Sequence, residues 1–251
     1  MQITMILHDF QILLFGPFPD GPIGGLCLNL LEAFGALGLG FILSIPLGLA
    51  RKSEFAPTRW LAMVFMETIK AIPILLLVFW AYLLLPQLVP IDLPPLVSAL
   101  LSFTVYSTVY LAEILRAGLE SIPRQQRDAA VASGMHTYQW HLYLSLPQAI
   151  RRMIPCYASF FISIFKDTSV LYIIGIMDII QFGLTMAESH PDRIIHIYGQ
   201  LGLCLFLVCQ ILGVLASRLE KRFEMPDCQI CRVLDGIRPA KTEVFVNKPT
   251  F

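Results

Sequence analysis

The stretch DAAVASGMHTYQWHLYLSLP, residues Asp128–Pro147, lies in the longest polar interval between the apolar segments of this chain. Residues Arg124–Ser133 at its start are rich in alanine and arginine, a composition that favours a short helix. Gly134 follows and supplies the left-handed residue at which helices commonly end. The stretch therefore predicts two short helices that meet at a bend around Gly134. Such a bend presents a small surface outside the apolar segments.

The ends of the two predicted helices carry their own signals. Ser121 and Pro123 predict the start of the first helix, because a serine oxygen accepts from free N–H groups and a proline ring fits the first turn. Thr137 predicts the cap of the second helix. Pro147 is expected to break that helix, because proline has no N–H to donate within it.

The composition indicates an integral membrane protein. Hydrophobic residues make up 56% of the 251 residues and charged residues only 14%, too few to coat a soluble globule of this size. A formal net charge of zero argues against a nucleic-acid binder, which needs a basic face. Five apolar segments predict membrane-spanning helices. They are Ile23–Ala50, Trp60–Leu85, Leu93–Leu115, Met153–Met177 and Ile197–Ser217.

Basic residues predict the orientation of the chain in the membrane. Eleven of them occupy the connections on one side: Arg51, Lys52, Arg59, Arg116, Arg124, Arg127, Arg151, Arg152, Arg218, Lys221 and Arg222. On the other side the sequence has only Arg193. Because cytoplasmic loops hold the excess of lysine and arginine, this bias places the central bend in the cytoplasm. With five spans, the N-terminus is then periplasmic and the C-terminus cytoplasmic.

The spacing within the central stretch resembles the cytoplasmic loop of permeases of ATP-binding cassette (ABC) importers. The matching residues are Asp128, Ala129, Ala130, Gly134, Leu146 and Pro147. Further along the chain, Lys166-Asp167-Thr168-Ser169 resembles the motif of the polar amino acid uptake class, which serves histidine, glutamate, glutamine and arginine. Three runs look most like the glutamate/aspartate branch: Ala71–Pro86, Ala132–Trp140 and Asp167–Tyr172.

This resemblance implies an all-α integral membrane protein, the five-transmembrane-helix permease core of a type I ABC importer. A transmembrane domain over residues 23–222, with a coupling helix in the loop 118–152, would follow a periplasmic segment, residues 1–22. Residues 223–251 contain prolines and mixed charges and are expected to form a flexible cytoplasmic tail. The implied partners are an ABC ATPase dimer, a second permease chain, identical or homologous, and a periplasmic amino-acid-binding protein. The implied location is the bacterial inner membrane.

The resemblance also implies that the bend docks into a cleft of the ATPase subunit and passes its closure to the membrane helices. The candidate coupling residues are Asp128, Ala129, Ala130, Ser133, Gly134, Met135, Leu146 and Pro147. Met135, Tyr138 and Trp140 are of the types that anchor interfaces. An alternative interpretation is a structural loop packed against helix ends. Asp128 has two candidate partners, a basic residue of the ATPase or Arg124 one turn earlier.

Lys166 and Asp167 interrupt the fourth apolar segment near its midpoint. Charges at that depth are costly and normally face a bundle interior or an aqueous path. We therefore expect Lys166, Asp167, Thr168 and Ser169 to line the translocation path or its gate. The alternative is a buried ion pair that holds helices in register.

Two further charge pairs are spaced by three residues, which puts opposite charges on one helix face. Glu67 and Lys70 lie in the second segment, and Glu113 and Arg116 lie at the cytoplasmic end of the third. One interpretation is a pair that neutralises itself and lowers the cost of membrane insertion. The other is a gate whose charges exchange partners between helices as the cytoplasmic mouth opens and closes. Lys70 stands where the family segment usually has arginine.

Several enzyme motifs are absent from the sequence. It contains no GxxxxGK[ST] phosphate loop, no HExxH and no GxSxG, and its five histidines form no ligand cluster. We therefore expect no enzyme activity of its own, no catalytic residue, no metal and no cofactor. Two other classes of function stay open. One is an ATP-independent channel or secondary carrier that uses Lys166 and Asp167, and the other is a structural or export-complex subunit.

Overall fold

The computed structural model describes residues 10–19, 21–88 and 93–223, so the predicted tail beyond Phe223 lies outside the described residues. Within these ranges the secondary structure is helical, and the predicted all-α fold is confirmed. A short helix over residues 10–15 comes first. The helices that follow are α1 Gly25–Arg51, α2 Ala56–Ala71, α3 Ile74–Leu88, α4 Pro95–Glu120, α5 Arg124–Ala132, α6 Thr137–Ile174, α7 Ile179–Ser189 and α8 Ile194–Phe223.

Four of the described helices, α1, α4, α6 and α8, are long and apolar enough to cross a membrane. The shortest of them has 26 residues, and crossing the hydrocarbon takes about 20 residues at ~1.5 Å each. α2 and α3 form a further candidate, a pair that bends by 100° at the break between them. The described chain therefore has four unbroken candidate spans, and a fifth if the bent pair crosses as one unit.

The break between α2 and α3 lies at Ile72 and Pro73. Ile72 has φ −95° and ψ 126°, an extended conformation. Proline disfavours a helical conformation in the residue before it, which explains why α2 ends here. The sequence predicts one span over Trp60–Leu85, whereas the structure divides this range into two helices that meet at a sharp bend. Pro46, by contrast, lies inside α1, which continues to Arg51.

α1 and α4 pack closely at the centre of the bundle, where small residues let two backbones approach. A Cβ atom at Gly40 would lie 2.8 Å from the Cβ of Ser107. A Cβ atom at Gly48 would lie 3.2 Å from the carbonyl oxygen of Ala112. A larger side chain at either glycine would therefore push the two helices apart. The main core cluster includes buried residues of α1, α3, α4, α6, α7 and α8.

α6 is longer than the sequence predicts. It begins at Thr137 and has 38 residues, whereas the predicted fourth segment begins at Met153. The residues just before Met153 are charged, so a boundary drawn from hydrophobicity alone leaves them out.

The predicted break at Pro147 is wrong. A π-helical turn, Trp140–Ser145, leads into an α-helical part, Leu146–Asp167, and Pro147 is the second residue of that part, where a missing N–H is tolerated. A 3-10 part, Thr168–Ile174, follows. α6 therefore joins the central bend to the far end of the bundle.

α7 is not among the predicted segments. Gly175 ends the 3-10 part of α6 with φ +78°. Asp178 then caps α7, because its Oδ1 accepts from the backbone N–H of Gln181 at 2.8 Å. With 11 residues, α7 is too short to cross the hydrocarbon, which explains why a search for span-length segments passes over it.

Candidate functional site

The bend at Gly134 has the geometry of a Schellman motif. Gly134 has φ +79°, and its N–H donates to the carbonyl oxygen of Val131 at 2.9 Å. The N–H of Met135 donates to the carbonyl oxygen of Ala130 at 3.0 Å. These two bonds close a helix on a left-handed glycine. The predicted end of α5 is therefore confirmed.

The predicted helix caps at the bend are wrong. Ser121 closes α4, because its hydroxyl donates to the carbonyl oxygen three residues earlier at 2.7 Å. Pro123 precedes α5, and no side chain caps that helix. His136 precedes α6 in place of Thr137, and its backbone N–H donates to Oε1 of Gln139 at 3.0 Å. The caps differ from the prediction because α4 extends up to Ser121 and α6 begins at Thr137.

Trp140 fixes the bend to the body of the chain. Its side chain is only 5% exposed, and it lies in a cluster with Leu119, Leu146 and Ala149. The cluster joins α4 to α6. The sequence suggests Trp140 as an anchor for a partner, and this is wrong because the indole is already used inside the chain.

The candidate coupling residues differ in exposure. The exposed ones are Asp128, Ala129, Ser133, Gly134 and Pro147. Ala130 and Leu146 are buried in the same cluster as Trp140, and Met135 is half-buried against it. The small side chain of Ala130 therefore lets α5 lie close to the bundle, and it offers no surface to a partner.

The exposed side of the bend is here named the docking surface. It comprises Ala129, Ala132, Ser133, Gly134 and Tyr138. Four of these residues are small, and Tyr138 is 73% exposed. Asp128 lies beside this surface and forms no ion pair with Arg124 or any other described residue. Its carboxylate is therefore available to a partner.

Both predicted charge pairs are formed within their own helices. Nζ of Lys70 lies 2.7 Å from Oε1 of Glu67. Nε of Arg116 donates to Oε1 of Glu113 at 3.0 Å, and its Nη1 donates to Oε1 of Glu120 at 2.7 Å. Sequence reasoning missed Glu120, although its spacing of four residues from Arg116 was a usable signal. The exchange of partners between helices stays a prediction.

Lys166 and Asp167 lie at the end of the α-helical part of α6, and the 3-10 part begins at Thr168. Their depth in the membrane stays a prediction. Lys166 is exposed, while Asp167 and Ser169 are half-buried. Neither charge forms an ion pair within the described ranges. The alternative of a buried ion pair inside this chain is therefore not realised.

A buried polar tie joins α1 to the junction of α6 and α7. Nδ2 of Asn29 donates to Oγ1 of Thr168 at 3.2 Å and to Oδ2 of Asp178 at 3.3 Å. Oδ1 of Asn29 accepts from the backbone N–H of Ile179 at 3.2 Å. The three side chains are at most 1% exposed. Thr168 therefore serves this tie and does not face an open path.

Asp178 lies in the connection between α6 and α7. Burial raises the pKa of its carboxyl to about 6, while hydrogen bonds from Gln181 and Asn29 act in the opposite direction. Sequence reasoning missed both Asn29 and Asp178. The usable signals were an asparagine in an otherwise apolar span and an acidic residue just before an apolar helix.

A polar stripe runs along the exposed side of α6. It consists of Ser159, Ser163 and Lys166, which are exposed and share a helix face by their spacing. Beside the stripe, the ring of Phe160 stacks on Tyr110 of α4 with centroids 5.5 Å apart. A polar face on a membrane helix normally turns toward a bundle interior or an aqueous path. Sequence reasoning missed the two serines, although their spacing to Lys166 was visible.

Residues 36–225 match the protein family described as "Binding-protein-dependent transport system inner membrane component". The matched range contains both the bend and the polar stripe. The chain belongs to this family. Membership confirms the prediction of a membrane transport component that is not itself an enzyme.

Similar proteins include several amino acid permeases. The glutamate/aspartate import permease protein GltK of Escherichia coli O6:H1 is 31% identical over 207 residues, which cover 80% of this chain and 92% of GltK. The probable glutamine ABC transporter permease protein GlnP of Bacillus subtilis is 32% identical over 200 residues, 79% of this chain and 91% of GlnP. The glutamate transport system permease protein GluD of Corynebacterium glutamicum is 32% identical over 200 residues, 79% of this chain and 73% of GluD. The resemblance drawn from the motifs is confirmed.

Solved structures show the same fold. The crystal structure of an amino acid ABC transporter with histidines superposes with a TM-score of 0.74 at 23% identity, over 88% of this chain and 97% of the other. An inward-facing structure of the MetNI methionine ABC transporter gives 0.65 at 16% identity, over 80% of this chain and 95% of the other. The predicted permease fold is therefore confirmed.

Proposed function

We propose that this chain is the permease subunit of an ATP-driven importer of polar amino acids. The observation that carries the proposal is the docking surface, which Trp140 fixes to the membrane helices of a transport component. Relatives named for glutamate, aspartate and glutamine support a polar amino acid as the substrate. Similarity to GltK supports glutamate or aspartate within this class.

In the proposed mechanism, a cytoplasmic ATPase dimer holds the bend by the docking surface. Small residues such as Ala129 and Gly134 allow the partner to approach closely, and Tyr138 supplies a large contact area. When the ATPase closes, the bend moves with it, and Trp140 carries the movement to α4 and α6. Because α6 continues without a break from the bend, the same movement reaches Lys166.

The polar stripe of α6 is proposed to line half of the translocation path. The stripe is exposed on this chain, so a second permease chain, identical or homologous, is needed to cover it. Lys166 offers a positive group and Asp167 a negative one, which match the carboxylate and the ammonium of an amino acid. The path would therefore form between the two chains.

The charges of the loops support one orientation. If α2 and α3 cross as a single bent span, the eleven basic residues of the connections all lie on one side. If the pair instead returned to its starting side, α4 would run the opposite way and the basic residues of the bend would lie opposite Arg51 and Lys52. The positive-inside rule therefore favours five spans with a cytoplasmic bend. A periplasmic amino-acid-binding protein would approach the opposite side, where α7 lies.

Co-purification tests the docking role. Ala129→Arg places a long charged side chain on the docking surface and is expected to reduce ATPase retention at least tenfold, the effect of ~1.4 kcal/mol. Binding-protein-stimulated ATP hydrolysis should fall in parallel. The matched control is Ala56→Arg, because Ala56 is also exposed but lies at the start of α2. The Ala56→Arg variant should retain as much ATPase as the wild type.

Undiminished ATPase retention in the Ala129→Arg variant would contradict the docking role. Uptake that persists after ATP depletion and follows an ion gradient would show a secondary carrier instead. ATP hydrolysis by the reconstituted complex identifies the substrate. Binding protein loaded with glutamate or aspartate should stimulate ATP hydrolysis more than binding protein loaded with glutamine.

A further inference from the structure

A cavity of about 650 Å³ lies behind the bend, between the end of α1, the end of α4, α5 and the first turns of α6. The polar residues that line it include Lys52, Glu120, Arg124, Arg127, Asp128 and His141. α5 turns residues 124, 127 and 128 toward the cavity, and their spacing puts them on one helix face. The docking surface occupies another face of α5, and Asp128, a candidate coupling residue, lies at the border and also lines this cavity.

The ionic contacts of the lining leave one positive charge in excess. Nη2 of Arg127 pairs with Oε1 of Glu54 at 3.0 Å, and Glu120 pairs with an arginine outside the lining. Lys52 and Arg124 form no ion pair with a described residue, and Asp128 forms none either. Two unpaired cations therefore face one unpaired carboxylate. The cavity has a net charge that a monoanion would neutralise.

Burial in the cavity disfavours the charged form of Lys52. Burial is the main influence on its ammonium group and lowers its pKa; Glu120 raises the pKa, while Arg127 and Arg116 lower it. An anion next to Lys52 would favour the charged ammonium and compensate for the burial. The cavity therefore favours a ligand with a negative charge.

The start of α5 points to the same ligand chemistry. α5 begins after Pro123 without a side-chain cap, and Pro123 and Arg124 both line the cavity. The free N–H groups of a helix start carry a partial positive charge and bind phosphate groups well. The cavity thus combines two cations with a helix start.

We propose that this cavity binds the phosphodiester of an anionic phospholipid from the cytoplasmic leaflet. A phosphodiester carries one negative charge, which matches the excess in the lining. Lys52 directly follows α1, a candidate membrane span, so the cavity lies at the level of the lipid headgroups. Basic pockets between membrane helices on the cytoplasmic side commonly bind such headgroups. The proposal depends on the cytoplasmic position of the bend inferred above.

The start of α2 supplies a surface for the acyl chains. The ion pair between Arg127 and Glu54 holds this segment next to the cavity. Phe55, Trp60 and Leu61 of the same segment are each more than 60% exposed. A lipid with its phosphodiester at Lys52 would therefore find apolar side chains beside it. Such a lipid would connect α5 to α2 through one molecule.

Native mass spectrometry of the assembled importer tests the proposal. The purified complex is mixed with phosphatidylglycerol or with phosphatidylcholine, and retained lipid is counted. The wild type should retain phosphatidylglycerol in preference to phosphatidylcholine. The double variant Lys52→Gln/Arg124→Gln should retain at least about tenfold less phosphatidylglycerol than the wild type. The matched control is Arg151→Gln/Arg218→Gln, which removes two exposed positive charges away from the cavity. The control should retain lipid like the wild type.

Equal loss of phosphatidylglycerol in both double variants would overturn the proposal. So would thermal stabilisation of the wild type by inorganic phosphate but not by phosphatidylglycerol, which would assign the cavity to free phosphate. Loss of the ATPase with unchanged lipid in the Lys52→Gln/Arg124→Gln variant would assign it to the ATPase interface. The Ala129→Arg variant keeps the cavity intact, so retained lipid without ATPase there supports the lipid site independently of the coupling role.

Discussion

Gly134 is the residue that shapes the docking surface. Its φ of +79° is a conformation that L-residues with a side chain disfavour by roughly 1–2 kcal/mol. A Cβ atom placed there would meet nothing within 4 Å. The requirement for glycine is therefore conformational, and space is available for a side chain. Asparagine is the residue with a side chain that best tolerates this region.

Two substitutions at Gly134 test this reason. Gly134→Ala is expected to lower binding-protein-stimulated ATP hydrolysis several-fold, because the backbone must leave the Schellman geometry that aligns the docking surface. Gly134→Asn should keep most of the stimulation. A steric explanation would predict the opposite order, because asparagine is larger than alanine.

Asp178 gives the protein a dependence on pH. Because burial raises the pKa of its carboxyl from 3.8 to about 6, the folded protein binds this proton more tightly than the unfolded chain. The contribution of the proton to stability is present at low pH and is lost as pH rises from about 4 through about 6. In detergent, the difference in melting temperature between the wild type and Asp178→Asn should change over this interval. Asp192→Asn, at an exposed residue, should follow the wild type; parallel curves for all three proteins would refute the assignment.

Lys166 is the charge that the proposed path would use. Lys166→Met should reduce uptake about tenfold or more, since removing a charge from a path wall costs at least ~1.4 kcal/mol of substrate interaction. Lys166→Arg should keep part of the uptake, because the positive charge remains. ATPase retention should not change in either variant. Normal uptake by the Lys166→Met variant would show that Lys166 does not contribute to the translocation path.

At the scale of elements, the bend has an inner and an outer aromatic residue with different tasks. Trp140 is 5% exposed and packs between α4 and α6, whereas Tyr138 is 73% exposed. The inner ring is positioned to transmit movement, and the outer ring to make contact. Substitutions of these two aromatic residues are therefore expected to cause different defects.

Alanine substitutions separate the two tasks. Trp140→Ala removes a large buried side chain, costs about 3–5 kcal/mol of stability and should lower stimulated ATP hydrolysis while the ATPase still binds. Tyr138→Ala should weaken ATPase retention and leave the melting temperature unchanged. Co-purification and thermal unfolding measure both. The same pattern of defects in the two variants would contradict the division of tasks.

At the scale of the whole molecule, the number of spans decides the function of the bend. Five spans with α2 and α3 as one bent crossing put the docking surface in the cytoplasm, where an ATPase can reach it. Four spans would put it on the opposite side from the end of α1. The docking surface, the cavity and the basic loops are therefore compatible with only one of the two topologies.

Labelling of intact cells distinguishes these topologies. In a variant without the six natural cysteines, His136→Cys should be protected from a membrane-impermeant thiol reagent, and Glu188→Cys should react. Both residues are exposed in the structure, so both should react once the membrane is opened. Reaction of His136→Cys in intact cells would show that the bend lies outside the cytoplasm and would contradict the proposed topology.

The sequence by itself determined the class of this protein, its helical fold, the bend at Gly134 and its family. These follow from properties that need no distant neighbour: the excess of apolar residues, the length of the apolar segments, the left-handed glycine and the spacing of motifs. The pairs of Glu67 with Lys70 and of Glu113 with Arg116 were also predictable, because each lies within one turn of one helix.

Only the tertiary structure decided which side chains face a partner and which face the chain itself. Trp140 and Ala130 turn inward because α5 packs against α4 and α6, and Thr168 turns to Asn29 across 139 residues of sequence. The cavity likewise takes its net charge from ion pairs such as Arg127 with Glu54, 73 residues apart. Local patterns cannot specify such contacts, because burial and pairing depend on which distant segments the packed bundle brings together.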